Sequence, residues 1–181
     1  MAESQVPYAY AQQSIDALKA SLSPQRFATY LAKAGGDEHY AFALYLYNAR
    51  LAKSLLFPLS VTEVTLRNAV DVALVSAHGD NWHQDAVLRN QVLTPQSLDA
   101  LDRAVFRAKS NVRGKVIAEL TFDFWSNLFR TDYAALWRTK ANIAFPGLPH
   151  GHGRSEVQAL VREINRLRNR VAHHEHILDM N

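Results

Sequence analysis

Residues 37–57, DEHYAFALYLYNARLAKSLLF, read as one long helix of about five to six turns that stops before Pro58, since a proline disfavours helical geometry in its predecessor. Phe42, Leu44, Tyr45, Leu46 and Tyr47 leave it little polar face, which predicts the central, most buried helix. The same grammar extends in both directions. Upstream, Ser23-Pro24 sets a capping hydroxyl before a proline at the first helical position and opens SPQRFATYLAKA, which ends at Gly35-Gly36. Downstream, Ser60 and Glu63 have capping-box spacing and open VTEVTLRNAVDVALVSA, before the turn HGDNW. Thr94-Pro95 repeats the cap-then-proline device ahead of QSLDALDRAVFRAKS. GKVIAELTFDFWSNLF reads as core, Asp132 as the cap of YAALWRTKANIAF, and Ser155 with Gln158 as a capping box for EVQALVREINRLRNRVAHH after the loop PGLPHGHGR. Strand signals are nearly absent, so the fold class is all-α: a helical bundle over residues 23–181, with residues 1–22 as a helical N-terminal extension.

Composition narrows the function classes. A chain of 181 residues with 48% apolar content is long enough to bury roughly 70% of its unfolded surface, which excludes disorder. With no cysteine there is no disulfide scaffold, thiolate zinc site or Cys nucleophile, and a reducing compartment is the easiest setting. The stretch MAESQVPYAYAQQ lacks the basic flank and apolar core of a signal peptide, and no run approaches the roughly 18 apolar residues of a membrane span. The expectation is a cytoplasmic, soluble protein that uses no membrane. Net charge is only +3, but its distribution is uneven. Arg103, Arg107, Lys109, Arg113 and Lys115 occur with no acid between residues 103 and 118, and Arg162, Arg166, Arg168 and Arg170 surround Glu163 alone. Either segment fits a polyanionic partner or a solvated helix face.

The last helical segment carries the candidate chemistry. At about 100° per residue, Val157, Leu160, Val161, Ile164, Leu167 and Val171 gather on one stripe that packs inward. Arg162, Arg166, Asn169 and His173 fall on the opposite side, with Arg170 adjoining. Guanidinium forks suit phosphate oxygens, and an imidazole titrates near neutral pH. Together they are the minimum equipment for cleaving RNA without a metal: a base for the 2′-hydroxyl, an acid for the leaving oxygen and a cation for the phosphorane. Arg168 falls on the apolar stripe, about 140° from His173. It is either a buried arginine tied to an acid such as Glu119 or Asp71, or it reaches the cleft because the helix unwinds before His173.

The string LRNRVAHHE resembles the Arg-Asn-x-x-x-His signature of the HEPN superfamily of helical ribonucleases. More narrowly, the chain is similar to the Abi-like (abortive infection) family of that group, through SPQRFATYL, ALYLYNARLAKSLLFPLSVTEVTLRNAV, GDNW, GKVIAELTFDFW, the FPG turn and RLRNRVAHHE, which together span most of residues 21–176. The resemblance implies a HEPN-like bundle and an endoribonuclease toxin of phage defence or of a toxin–antitoxin system, needing no metal or other cofactor. Its motif falls on Arg168, Asn169 and His173, with His174 as the alternate histidine, while Arg162, Arg166, Arg170 and His174 are expected to contact RNA. The resemblance further implies a homodimer, with Arg168 near the seam, and a neutralising antitoxin, either a small RNA or a protein. Two departures stand out: Asp123 occupies a position commonly glycine in the family, and the sequence ends at Asn181 where members continue into another helical stretch, so that with a native end the motif is expected to lie beside a fraying terminus, and with a shortened one the site is expected to be incomplete.

Two rival readings follow from the same residues. His150, His152, His173, His174 and His176 suggest a metal site, although Glu175 is the only nearby carboxylate. A helical RNA- or nucleotide-binding module without catalysis uses the same basic face. Tyr45, Tyr47, Phe124, Trp125 and Trp137 read as core and Trp82 as a partial exception, while Arg67-Asn68 reads as a structural pair hydrogen-bonded to the motif helix.

Overall fold

The computed structural model describes Tyr10 to Asp179. Among the described residues there is no β-strand, and the chain is all-α. Eight α-helices are α1 (Gln12–Ser21), α2 (Pro24–Lys33), α3 (Glu38–His78), α4 (Pro95–Ala108), α5 (Arg113–Glu119), α6 (Phe122–Asn127), α7 (Ala134–Ala144) and α8 (Arg154–Ala172). Of the expected N-terminal extension, α1 is helical and residues 1–9 lie outside the described residues. No helix is long and apolar enough to cross a membrane, among the described residues.

Contacts divide the chain into two compact units, Met1–Leu56 with Arg170–Asn181, and Phe57–Asn169. In the first, Phe27, Tyr30 and Ala41 form a small core, joined by Leu22, Leu44, Tyr45 and Leu178. The second holds the larger core. Leu66, Val70, Ala73 and Leu74 of α3 meet Leu101 and Ala104 of α4, Val116 of α5, Phe124 and Trp125 of α6, Trp137 of α7 and Val157 and Val161 of α8.

Several local rules hold. Ser23 Oγ accepts from the Arg26 amide at 3.2 Å and Thr94 Oγ1 from the Ser97 amide at 3.4 Å, so both cap-then-proline devices start helices. Gly35 and Gly36, after α2, have φ of 64° and 91°, the left-handed geometry that glycine adopts without steric cost.

Elsewhere the fold departs from expectation. The helix does not stop before Pro58: α3 runs through it for 41 residues. Ser60 and Glu63 therefore lie inside a helix, and no capping box forms there. The proline removes one intrahelical donor, while Thr62 Oγ1 donates to the Pro58 carbonyl at 2.8 Å. Residues 38–56 are also less buried than their composition predicts. Ala41, Phe42 and Asn48 are buried, but Tyr40, Tyr47 and Leu56 are more than half exposed. Conversely, Trp82 is fully buried, its Nε1–H donating to Asp71 at 2.7 Å and its ring stacked on Phe124. Asp132 caps nothing. It pairs with Arg130 at 3.4 Å, and a short 3-10 turn, Thr131–Tyr133, leads into α7. Arg67 Nε is buried without a partner and Asn68 is exposed, so the expected bond from this pair to the motif helix does not form.

An interior proline costs a helix up to about 3 kcal/mol relative to alanine. Pro58→Ala should therefore raise the urea midpoint, with a gain of about 1–3 kcal/mol at unchanged m-value. An unchanged midpoint contradicts a continuous helix through residue 58.

Candidate nucleic-acid interface

Helix α8 is oriented by its apolar side. Val157 and Val161 are buried and Ile164 packs against the same core. Leu160, at the edge of the stripe, is 61% exposed, which narrows the buried face. The helix start also differs from the expected capping box: Ser155 is already helical, and the Glu156 carboxylate reaches back to accept the Gly153 amide at 2.7 Å. That backbone hydrogen bond, with help from the Ser155 hydroxyl, holds the Glu156 carboxyl below the usual glutamate range.

With Val157 and Val161 inward, Arg162, Arg166 and Asn169 border an open polar cleft of about 850 Å³. Its other walls include Gln158, Glu163 and Asn165 of α8, Ser126 and Asn127 at the end of α6, and Arg130 and Thr131 from the α6–α7 connection. Arg162 and Arg166 are exposed and have no ion-pair or hydrogen-bond partner among the described residues. The walls are themselves held in place. Gln158 Oε1 accepts from Arg154 at 2.7 Å, and Arg154 also donates to the Phe129 carbonyl at 2.6 Å. Asn165 donates through Nδ2 to Asp123 at 2.8 Å, leaving its Oδ1 buried without a donor. Asp123 thus ties α6 to α8.

The sequence motif is distributed unevenly. Arg168 and Asn169 belong to the second unit and His173 to the first. Arg168 is partly exposed and pairs with Glu63 of α3, Nε to Oε2 at 3.4 Å, while its guanidinium also donates to Asn169 Oδ1 at 3.3 Å. Neither expected acid partner is used: Glu119 pairs with Arg107, and Asp71 is bound by Trp82 and Arg113. His173 is exposed, with no hydrogen bond orienting its ring among the described residues.

Arg170 and His174 serve the end of the helix instead. The Glu175 amide bonds to the Arg170 carbonyl at 2.8 Å and the His174 amide to the Val171 carbonyl at 3.2 Å, the paired bonds of a Schellman motif. His174 occupies its left-handed position, φ 55°, where glycine is usual. The Arg170 guanidinium donates to the His176 carbonyl at 3.0 Å and lies 3.9 Å from Glu175. Buried Asn48 completes the hold, donating to the Glu175 carbonyl at 3.3 Å and accepting the Ile177 amide at 2.8 Å. Lys33 binds Asp179 and keeps its carboxyl below the usual aspartate range. The segment after the motif is therefore tied down through Asp179, contrary to the expected fraying. Among the described residues no three His, Cys, Asp or Glu side chains gather to hold a metal ion.

Sequence reasoning brought Arg162, Arg166 and Asn169 to one face but missed Glu63, Arg130, Gln158, Asn165 and Asn48. A polar Asn48 inside an otherwise apolar run was the one available signal. No family model, curated protein or solved structure matches this chain.

Two substitutions test the helix end. His174→Gly should stabilise the protein by about 1 kcal/mol by relieving left-handed strain, read as a higher melting temperature. Asn48→Ala should cost about 1–3 kcal/mol, because it strands a buried carbonyl and amide, and should speed hydrogen exchange at the Ile177 amide. Wild-type exchange at Ile177 in that variant contradicts the clamp.

Proposed function

We propose that this protein is an endoribonuclease of the HEPN type, acting without a metal as a cytoplasmic toxin of phage defence or of a toxin–antitoxin system. The observation that carries RNA binding is the α8 cleft, where Arg162 and Arg166 border open space and form no ion pair among the described residues, although Glu163 lines the same cleft. Unpaired guanidinium groups on a rigid helix are suited to phosphate oxygens. Cleavage is supported by the resemblance of Arg168, Asn169 and His173 to the family motif. In the proposed reaction the ribose 2′-oxygen attacks phosphorus as the bond to the 5′-oxygen breaks, leaving a 2′,3′-cyclic phosphate and a free 5′-hydroxyl. His173 moves the proton, and Arg168 with Asn169 steadies the phosphate. Arg168 then exchanges the Glu63 carboxylate for a phosphate oxygen, a swap of one anion for another. A second copy of the chain and a neutralising antitoxin, small RNA or protein, belong to the same proposal.

One observation favours the second reading, a non-catalytic RNA- or nucleotide-binding module: His173 is exposed with no partner to orient its ring among the described residues, whereas a working acid or base is normally held by a neighbour. The two readings separate in one experiment. The pure protein and its His173→Ala variant are incubated with total RNA in excess chelator and the RNA ends are mapped. Cyclic-phosphate ends from the wild type, reduced about 10²- to 10⁴-fold in the variant with RNA affinity nearly unchanged, support the nuclease. Cleavage by His173→Ala at the wild-type rate, or loss of activity in chelator, overturns it; binding without any cleavage leaves the binding module.

A further inference from the structure

The other basic segment, residues 103–118, is sorted by the fold into paired and unpaired cations. Arg103 pairs with Asp99 at 2.5 Å, Arg107 with Glu119 at 3.1 Å, and Arg113 with Asp80 at 2.8 Å and Asp71 at 3.7 Å. Lys109 and Lys115 are exposed and have no hydrogen-bond or ion-pair partner for their ammonium groups among the described residues. Three residues before each in the sequence is an apolar side chain that the core leaves out, Phe106 at 82% exposure and Val112 at 60%. The Lys109 amide bonds to the Phe106 carbonyl at 3.4 Å and the Lys115 amide to the Val112 carbonyl at 2.9 Å, so in each case the backbone of an exposed apolar residue is joined across one turn to that of an unpaired lysine.

The segment is held rather than loose. Fully buried His83 uses Nε2–H to bond the Asn111 carbonyl at 3.0 Å, and Ser110 Oγ accepts the Val112 amide at 3.2 Å. Lys109 itself adopts φ 47° at the end of α4, a left-handed position that glycine would fill without strain. Lys109 thus holds a left-handed backbone position on a clamped loop, three residues after an exposed ring.

We propose that residues 106–115 bind single-stranded RNA, with the Phe106 ring stacking on an unpaired base and Lys109 and Lys115 contacting the flanking phosphates. Aromatic platforms bordered by cations suit single strands, because a duplex hides the faces of its bases. The choice of RNA over another polyanion rests on the reading of the α8 cleft, and it extends that reading by selecting unpaired substrate.

The test measures binding of a fluorescent 2′-O-methyl oligouridylate 12-mer, which cannot be cut by its own ribose oxygen, and of a duplex of equal length, to the full chain. The single strand should bind more tightly. Phe106→Ala should weaken its binding about 5- to 100-fold. Lys109→Gly should weaken it and reduce the log–log salt slope by about 0.7, while raising the melting temperature because the left-handed strain is relieved. Loss of affinity together with gain of stability separates a binding role from a structural one. Wild-type affinity in both variants overturns the proposal, and if the protein still cuts RNA the nuclease reading survives alone. Weakened binding in both variants of a chain that cuts no RNA supports this surface and removes the nuclease reading instead. Tight binding of polyglutamate that is insensitive to Phe106→Ala, with no single-strand binding, overturns it in favour of an acidic protein partner.

Discussion

The rotation of α8 about its own axis is the constraint on which the candidate interface depends. Burying a valine contributes roughly 1.5–3 kcal/mol, whereas an exposed ion pair contributes about 0–1 kcal/mol. Val157 and Val161 therefore decide which way the helix faces, and the guanidinium groups go where the apolar stripe leaves them. Arg162 and Arg166 end up over open space, and Asn169 joins them at the same cleft. Secondary anchors keep that cleft in shape: Asp123 holds Asn165, and Arg154 holds Gln158. The candidate interface follows from core packing, with its charges placed by exclusion.

A count of basic residues says little until the paired ones are removed. In the segment from 103 to 118 the three arginines are each matched to a carboxylate, so only the two lysines project unneutralised charge. In α8 the division is different. Arg170 is committed to the helix end, Arg168 to Glu63, and Arg162 and Arg166 to no partner among the described residues. Arg168 is the intermediate case, since a 3.4 Å pair at a partly exposed site can be exchanged for another anion at small cost.

The all-α class, the helix starts at Ser23 and Thr94 and the basic face of α8 were legible in the sequence, because each rests on a local rule of capping or periodicity. What was not legible depends on distant partners. Pro58 reads as a stop, yet α3 continues through it, so the local cost of a proline is offset by the packing of the helical residues beyond it. Tyr47 and Trp82 exchanged their expected places, since composition reports hydrophobicity and not which face of an element finds a neighbour. The Glu63–Arg168 pair joins residues more than a hundred positions apart, and nothing in either neighbourhood announces the other. Asn48 is the clearest omission. One amide in an apolar helix satisfies two backbone groups of the C-terminal segment, and without it the stretch after the motif would lose one of its anchors.

The claim that Arg162 and Arg166 face an anion is tested most directly by the salt dependence of RNA binding. The affinity of a 2′-O-methyl oligonucleotide is measured across salt concentrations for the wild type and for the Arg162→Gln/Arg166→Gln double variant. Loss of two phosphate contacts predicts a log–log slope shallower by about 1.4, with the melting temperature unchanged because neither side chain supports the fold. A slope equal to that of the wild type contradicts the placement of the phosphate backbone in the α8 cleft.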